Sequence, residues 1–398
     1  MAKVCLINNL YGGNSVGGAE KVVQVRALEY KKKGDSVIII TTKASKNPKI
    51  EKSDEGGIAV YKVWIPNIFY YKDLSKHGFI LKLIWHFVDI FNFRGAQIIN
   101  KILKQEKTDV VETHNLMGVG YNFLKKEKCM KGQVATCPYK QIHYLHDVQL
   151  VEPSGVLSWD HKKDNVWQKI YSGIMKRKFR GVDEVVSPSE FLRDFYLKRG
   201  FFKKSEWNIA VGNRYACSSI ATPDACSCSV ARLSVDGIDL PFDGNRRACS
   251  VHEPLHVSNQ KYLFVGSLVE HKGVHILMQA WNMMCAVGNG HAQSVPYLHI
   301  VGDGILREEV ESWAFAKDNV KVHGRLEGKE LEEIYKKCDT LIFPSICIEN
   351  NPTVIHEAHQ YGLKVIASDT GGVSEIVCED GILVEPGSVE KLIKILSN

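Results

Sequence analysis

At 398 residues the chain exceeds one ordinary core and suits two domains. Its 44% hydrophobic and 24% charged residues exclude bulk disorder. A net charge of +6, from 51 Lys and Arg against 45 Asp and Glu, sets nucleic acid aside and suits anionic small molecules or an anionic membrane surface. No apolar run reaches the roughly 18 to 20 residues of a membrane span, and the start turns polar at Asn8, too early for a signal peptide. These features imply a cytoplasmic protein whose 11 cysteines are reduced and mostly packed.

The chain opens on a buried strand, Val4 to Ile7, followed by a loop carrying Gly12, Gly13, Gly17 and Gly18. A helix from Ala19 to Lys32, a stop at Gly34 and a second apolar strand, Ser36 to Thr41, complete a parallel βαβ unit. Residues 78–107 read as apolar helices bordered by Lys82, Arg94, Lys101 and Lys104. Short strands then run from Asp109 to Thr113 into His114, from Ile142 to Leu145 into His146 and Asp147, and from Glu184 to Ser187 into Pro188. Polar residues at strand C-termini are where open α/β sheets collect ligands. From about Ile209 to Ser258 periodicity is lost. The spacing of Cys217, Cys226, Cys228 and Cys249 does not match the paired steps of zinc sites. Further strands follow at Tyr262–Val265, Tyr297–Val301, Val320–His323, Thr340–Phe343, Lys364–Ala367 and Gly381–Val384, and Met283 to Pro296 reads as an insertion. The division expected is therefore an α/β domain over 1–205, an irregular linker over 206–258 and a second α/β domain over 259–398.

The Gly12 to Glu20 loop is no Walker loop, because Ala19-Glu20 follows Gly18, and it has no clean GxGxxG fingerprint. Kinase and dehydrogenase readings lose support there. The segment from Pro344 to Ala358 is richer. A strand ends at Pro344, a loop carries Glu349, Asn350 and Asn351, and a helix is expected to take Pro352 into its first turn, with Thr353 beside it and Glu357 further on. Amides at such a helix start, with the helix dipole behind them, suit a diphosphate. A carboxylate on each side can accept hydrogen bonds from vicinal hydroxyls.

The run Glu-Asn-x-Pro-x-Val-x-x-Glu-Ala followed by Gly-x-x-Val-Ile-Ala-Ser closely resembles the signature of glycosyltransferase family 4, whose members have the GT-B fold of two facing Rossmann-like domains. The resemblance covers roughly residues 1–205 and 260–398. It implies that Glu349 holds the donor sugar and Glu357 the ribose. Gly266, Ser267 and Lys272 resemble the opening of the family's donor domain, with Lys272 set to neutralise the leaving diphosphate. Many members carry arginine after the glycine; here Ser267 stands instead, with Arg325 or His271 as candidates to compensate. Gly302 and Asp303, and Arg325 after His323 and Gly324, resemble the strand-end positions where members of the family contact the nucleotide, which implies that role here. In the N-terminal domain Gly12, Gly13, Gly17 and Gly18 resemble the family's opening, where backbone amides approach the diphosphate and the acceptor lies alongside. His114 and the pair His146 and Asp147 match strand-end motifs. His146 is the candidate to polarise a hydroxyl beside the reacting centre, with a charge adjustable near neutral pH by Asp147.

The resemblance implies a retaining, hexosyltransferase-type reaction in which the donor phosphate takes the acceptor proton. No Asp-x-Asp pair occurs in the chain, which favours a reaction without metal. No cofactor is expected beyond the nucleotide-sugar co-substrate. The expected partners are that donor, a glycan or lipid-linked acceptor of bacterial polysaccharide synthesis, and an anionic membrane surface. The family's closing helix, which crosses back to the N-terminal domain, has no counterpart after Leu396, implying a looser domain pair. A catalytically silent sugar-nucleotide binder and a GT-B epimerase remain the alternatives.

Overall fold

The computed structural model describes residues 1–12, 18–124, 139–210, 260–287, 296–377 and 380–397. Gly13, Gly17, the linker cysteines and most of the 283–296 insertion lie outside the described residues. Two units are distinguished, Met1–Val156 with Lys162–Val211 and Leu157–His161 with Gly212–Asn398.

In the first unit the apolar run at the start forms β1 (Lys3–Ile7), followed by α1 (Gly18–Lys32) and β2 (Ser36–Thr42). A hairpin of β3 (Ile50–Asp54) and β4 (Ala59–Val63) comes next. Periodicity did not reveal it, because β3 is a charged edge strand with little burial, as edges commonly are. The cation-bordered apolar stretch is two helices, α2 (Phe79–Ile90) and α3 (Phe93–Glu106), parted by Asn92, whose side chain accepts from Gly95 N to cap α3. Then come β5 (Val110–Thr113), β6 (Lys140–Tyr144), α4 (Val166–Lys178), β7 (Glu184–Ser187), α5 (Glu190–Lys198) and β8 (Glu206–Ile209). The last strand pairs with β7, so this unit runs past residue 205.

The first sheet has the order β3-β4-β2-β1-β5-β6-β7-β8, parallel except at the β3–β4 edge. Val4 and Leu6 of β1 and Val37 and Ile39 of β2 pack beneath Val23 and Ala27 of α1, as the two-residue period of a strand requires.

The second unit comprises β9 (Lys261–Val265), α6 (Val274–Val287), β10 (Tyr297–Val301), α7 (Arg307–Phe315), β11 (Val320–Val322), α8 (Gly328–Lys337), β12 (Thr340–Phe343), α9 (Thr353–Gln360), β13 (Lys364–Ser368), β14 (Ile382–Val384) and α10 (Val389–Leu396). Its all-parallel order, β11-β10-β9-β12-β13-β14, is that of a dinucleotide-type doubly wound sheet. Tyr262 and Phe264 face Trp281, Leu392 and Leu396, while Leu263 faces the other way, toward Ile334, Ile355 and Ala358. In each sheet the strand order reverses direction at one place, between β1 and β5 in the first and between β9 and β12 in the second. Ligands of such sheets bind outside the strand ends at that point.

One buried group links this packing to pH. Asp89 of α2 is enclosed, with Oδ2 accepting from Gly118 N at 3.0 Å, and burial pushes its pKa up to about 7. An acid whose folded pKa is raised favours the fold below its unfolded value and loses that contribution as pH rises through the folded one. Asp89→Asn, a mimic of the protonated acid, is therefore expected to melt roughly 5 °C above the parent at pH 8, with no difference near pH 4. Paired thermal melts at those pH values check this.

Candidate active site

The second unit's switch point brings together residues far apart in sequence. After β9 the chain turns through Gly266 and Ser267 into a 3₁₀ turn, Glu270–Lys272, ahead of α6. After β12 it runs from Pro344 through Glu349 to Pro352. Lys272 Nζ lies 2.6 Å from Glu349 Oε1, which also receives Ser345 Oγ at 2.8 Å and Cys347 Sγ at 3.5 Å. The two charged side chains retain 27% and 12% of their exposure, so the pair is mostly enclosed yet reachable. Burial would lower the Lys272 pKa, but the Glu349 carboxylate prevails and holds it above the usual lysine value. Burial and Glu349 push the Cys347 thiol up to about 11, so it stays protonated.

The loop that carries Glu349 is pinned from several sides. Ile346 N donates to His271 O at 3.0 Å, Thr370 Oγ1 to Cys347 O at 2.8 Å, and Gly372 N to Glu349 O at 2.7 Å. The segment 157–161 also belongs to this unit: Ser158 and Cys347 form an antiparallel bridge, with Ile348 N donating to Leu157 O at 2.7 Å. No periodicity marked these five residues, because their pairing is entirely tertiary.

Helix α9 starts at Thr353, so Pro352 caps it from just outside instead of entering the first turn. The positive end of α9 still sits directly after Asn350 and Asn351. Asn351 pairs with His356 within the same segment. Glu357 accepts from the Tyr335 hydroxyl at 2.9 Å, and burial together with Glu357 keeps that phenol protonated.

The remaining candidates of this unit form one backbone lattice at the strand ends. Gly266 N donates to Val301 O at 3.0 Å, Leu268 N to Asp303 O at 2.9 Å and Gly302 N to Gly324 O at 2.8 Å. Their side chains are less convergent. Asp303 turns to Gly304 N at 2.8 Å and Arg307 at 3.5 Å. Arg325, half exposed, is engaged by Glu327 at 2.6 Å. The compensation expected from Arg325 or His271 is not built in: Arg325 has its counter-charge along its own loop, and burial plus Lys272 lower the His271 pKa, leaving that ring neutral.

In the first unit Gly12 ends the described part of the loop after β1, and Gly18 opens α1. Across the switch point, His114 Nδ1 lies 3.0 Å from His146 Nε2. A hollow at the strand ends is lined by His114, Tyr121, His143, His146, Asp147 and Tyr196. His146 differs from expectation. Burial, with His114 and His143 nearby, lowers its pKa well below the usual histidine value, so its charge is not adjustable near neutral pH. Asp147 turns to Gln149 N at 2.8 Å and is pushed up to about 6 by burial. A neutral imidazole can still give or take one hydrogen bond at each ring nitrogen.

Beneath these histidines lies a group that motif reading passed over: Arg26 and Tyr30 of α1 gripping Glu112 of β5. The signals were present, a lone glutamate in the apolar run of β5 and a polar pair four apart on one helix face. Ser345, four residues ahead of Glu349 in the same loop, and Tyr335, which only the fold brings to Glu357, were passed over too. Among the described residues no three His, Cys, Asp or Glu side chains are grouped as metal ligands are.

Comparison with known proteins bears on this geometry. Residues 259–398 match the family described as "Glycosyl transferases group 1", and residues 16–206 match "Glycosyltransferase Family 4". A 42.6 kDa uncharacterised protein in the cps region of Klebsiella pneumoniae is 29% identical over 51% of this chain and 53% of its own length. The chain thus spans about half the length of that relative, and less of several others. Among solved structures, a sucrose-phosphate synthase from Thermosynechococcus elongatus aligns over 100% of this chain and 89% of its own at 16% identity, TM-score 0.63. Anabaena HepE in complex with UDP-glucose aligns over 100% and 89% at 14% identity, TM-score 0.55. At such identities these two likenesses speak to fold alone. With both halves matched in sequence and both sheets doubly wound, the chain belongs to the family 4 glycosyltransferases of GT-B fold.

Proposed function

We propose that this protein is a retaining, hexosyltransferase-type glycosyltransferase that moves a sugar from a nucleotide-sugar donor to a glycan or lipid-linked acceptor in bacterial surface polysaccharide synthesis. The observation that carries the reading is the Lys272–Glu349 contact at the β9–β12 switch point, a cation and an anion in one place where a donor offers both diphosphate and hydroxyls. An ammonium has three hydrogens and a carboxylate four acceptor positions, so holding each other exhausts neither. In the reaction the acceptor oxygen bonds to the anomeric carbon, the bond from that carbon to the β-phosphate oxygen breaks, and the diphosphate leaves with the electron pair and takes the acceptor proton. Lys272 stabilises the charge gathering on the leaving group, Glu349 holds the sugar, Glu357 the ribose, and the amides at the start of α9 the diphosphate. The two family matches support a glycosyltransferase reaction, and the relative in the cps region supports the setting. The reaction as proposed uses no metal and no further cofactor. Screening UDP-, GDP- and ADP-sugars by thermal shift tests it, since a ligand that prefers the folded state raises the melting point. No stabilisation by any of them would remove the reading.

The acceptor is proposed to reach the enzyme at a membrane surface. Among the described residues no helix is long and apolar enough to cross a membrane. Phe79, Ile80 and Phe87 of α2 are nonetheless 69%, 72% and 64% exposed, and Val166 and Trp167 of α4 are 73% and 58% exposed. Lys178, the last residue of α4, lies 4.9 Å over the Phe91 ring just beyond α2. Exposed Arg94, Lys162, Lys163 and Lys169 accompany the apolar side chains, the combination that binds anionic interfaces. The double variant Ile80→Asp, Phe87→Ser is expected to weaken flotation with anionic vesicles at low salt by roughly tenfold or more while leaving the melting temperature unchanged. No binding by the parent protein would dismiss the membrane role.

A further inference from the structure

Glu112 is fully buried on β5. Burial would raise its pKa, but His114 and Arg26 prevail and hold the carboxyl down at about 2. Arg26 reaches it with Nε at 3.1 Å from Oε1 and Nη2 at 2.9 Å from Oε2, and the Tyr30 hydroxyl donates to Oε2 at 2.7 Å. The guanidinium in turn lies 4.6 Å from the Tyr30 ring centroid and 5.2 Å from that of Tyr144. A buried ion pair is often no more stabilising than apolar side chains of the same volume, which turns attention to what the carboxylate faces.

It faces a histidine. His114 Nε2 lies 3.2 Å from Glu112 Oε1, and the other nitrogen of that ring, Nδ1, lies 3.0 Å from His146 Nε2. Stacking on Tyr144, with centroids 5.0 Å apart, limits rotation of the His114 ring. An ionised carboxylate only accepts, so the His114 nitrogen toward it carries hydrogen. In the neutral form of the His114 ring with that hydrogen on Nε2, Nδ1 is the acceptor and must be met by a donor, which the neutral His146 supplies from Nε2.

We infer that Glu112, clamped by Arg26 and Tyr30, is a positioning residue that dictates the tautomers of His114 and His146 in turn, so that His146 presents Nδ1 as its acceptor nitrogen. A histidine set in this way takes a hydrogen bond from a hydroxyl and raises the electron density on its oxygen. That consequence rests on the proposed role of His146 in transfer. The tautomers themselves do not.

Long-range ¹⁵N–¹H spectra of the full chain, with the rings assigned through His114→Gln and His146→Gln, read the tautomers directly. Both rings are expected in the Nε2–H form. In Glu112→Gln, where an amide can no longer accept from Arg26 and His114 with both of its ends, the two rings should shift together to mixed or reversed tautomers. Sugar transfer by that variant should fall at least about tenfold in kcat with donor KM changed less than about twofold. Arg26→Lys, which keeps the counter-charge, should keep the parent tautomers. An Nδ1–H form of His146 in the parent protein overturns the inference even if Glu112→Gln does not fold. So do unchanged tautomers in a folded Glu112→Gln, and expected tautomers with unaltered turnover remove the positioning role. If the parent transfers no sugar but shows the expected tautomers, the functional reading fails and the tautomer relay stands.

Discussion

Glu349→Gln is expected to lower sugar transfer by about a hundredfold or more while leaving the affinity for a free nucleoside diphosphate unchanged or increased. The contrast follows from the pairing at the second switch point. The carboxylate's Oε1 is shared by Lys272, Ser345 and Cys347, so glutamine keeps the shape but gives up the charge that the lysine answers. Lys272 is then left with a cation lacking its partner in a mostly enclosed place, which a diphosphate relieves. Lys272→Met should show the reverse signature, losing affinity for the nucleoside diphosphate as well as turnover. Calorimetric titration with UDP, GDP and ADP alongside transfer assays separates the two residues. Equal losses of nucleotide affinity in both variants would mean that they do not divide the work between sugar and diphosphate. The double variant should lose less than the two single effects combined, because residues in contact are coupled by about 0.5 to 3 kcal/mol.

Gly371→Ala is expected to lower the melting temperature by roughly 5–10 °C and to remove most transfer, although residue 371 carries no side chain to lose. Its φ is +63°, and a Cβ built there would stand 1.9 Å from the carbonyl oxygen of Glu349. That oxygen is the one held by Gly372 N at 2.7 Å. The alanine therefore strains its own backbone and must also push away the loop that carries Glu349. Gly362 provides the control. Its φ is +76°, but nothing lies within 4 Å of a built Cβ, so Gly362→Ala should cost only the conformational strain, about 1 kcal/mol, and keep transfer. Thermal melts and initial rates of the two variants decide the matter; equal losses would show that backbone strain alone governs both.

Strands with a strong apolar run were legible in the chain. Val4 to Ile7, Glu184 to Ser187, Tyr297 to Val301 and Thr340 to Phe343 fall within or match strands of the sheets. The charged edge strand β3 was not, because it buries little and leaves no alternation to read, and with it the hairpin to the buried β4 was missed; β8, only four residues long, alternates but is too short to stand out. The motif around Glu349 was legible for a related reason: strand, loop, helix start and carboxylates follow one another in a single local segment.

The order of strands is different in kind. Nothing in a strand's own residues says which neighbour it pairs with, yet that order places the loops after β9 and β12 side by side, and those after β1 and β5 likewise. From it come the Lys272–Glu349 contact across 77 positions and the Arg26–Glu112 grip across 86. The fold also withdrew what the motifs had offered, turning Arg325 to Glu327 and burying His146 until it is neutral. Residue type and local spacing determined which chemical groups the chain owns and which short segments present them. Long-range pairing and burial decided which groups meet and in what charge state, because hydrogen-bond partners and desolvation depend on neighbours in space, and neighbours along the chain do not specify them.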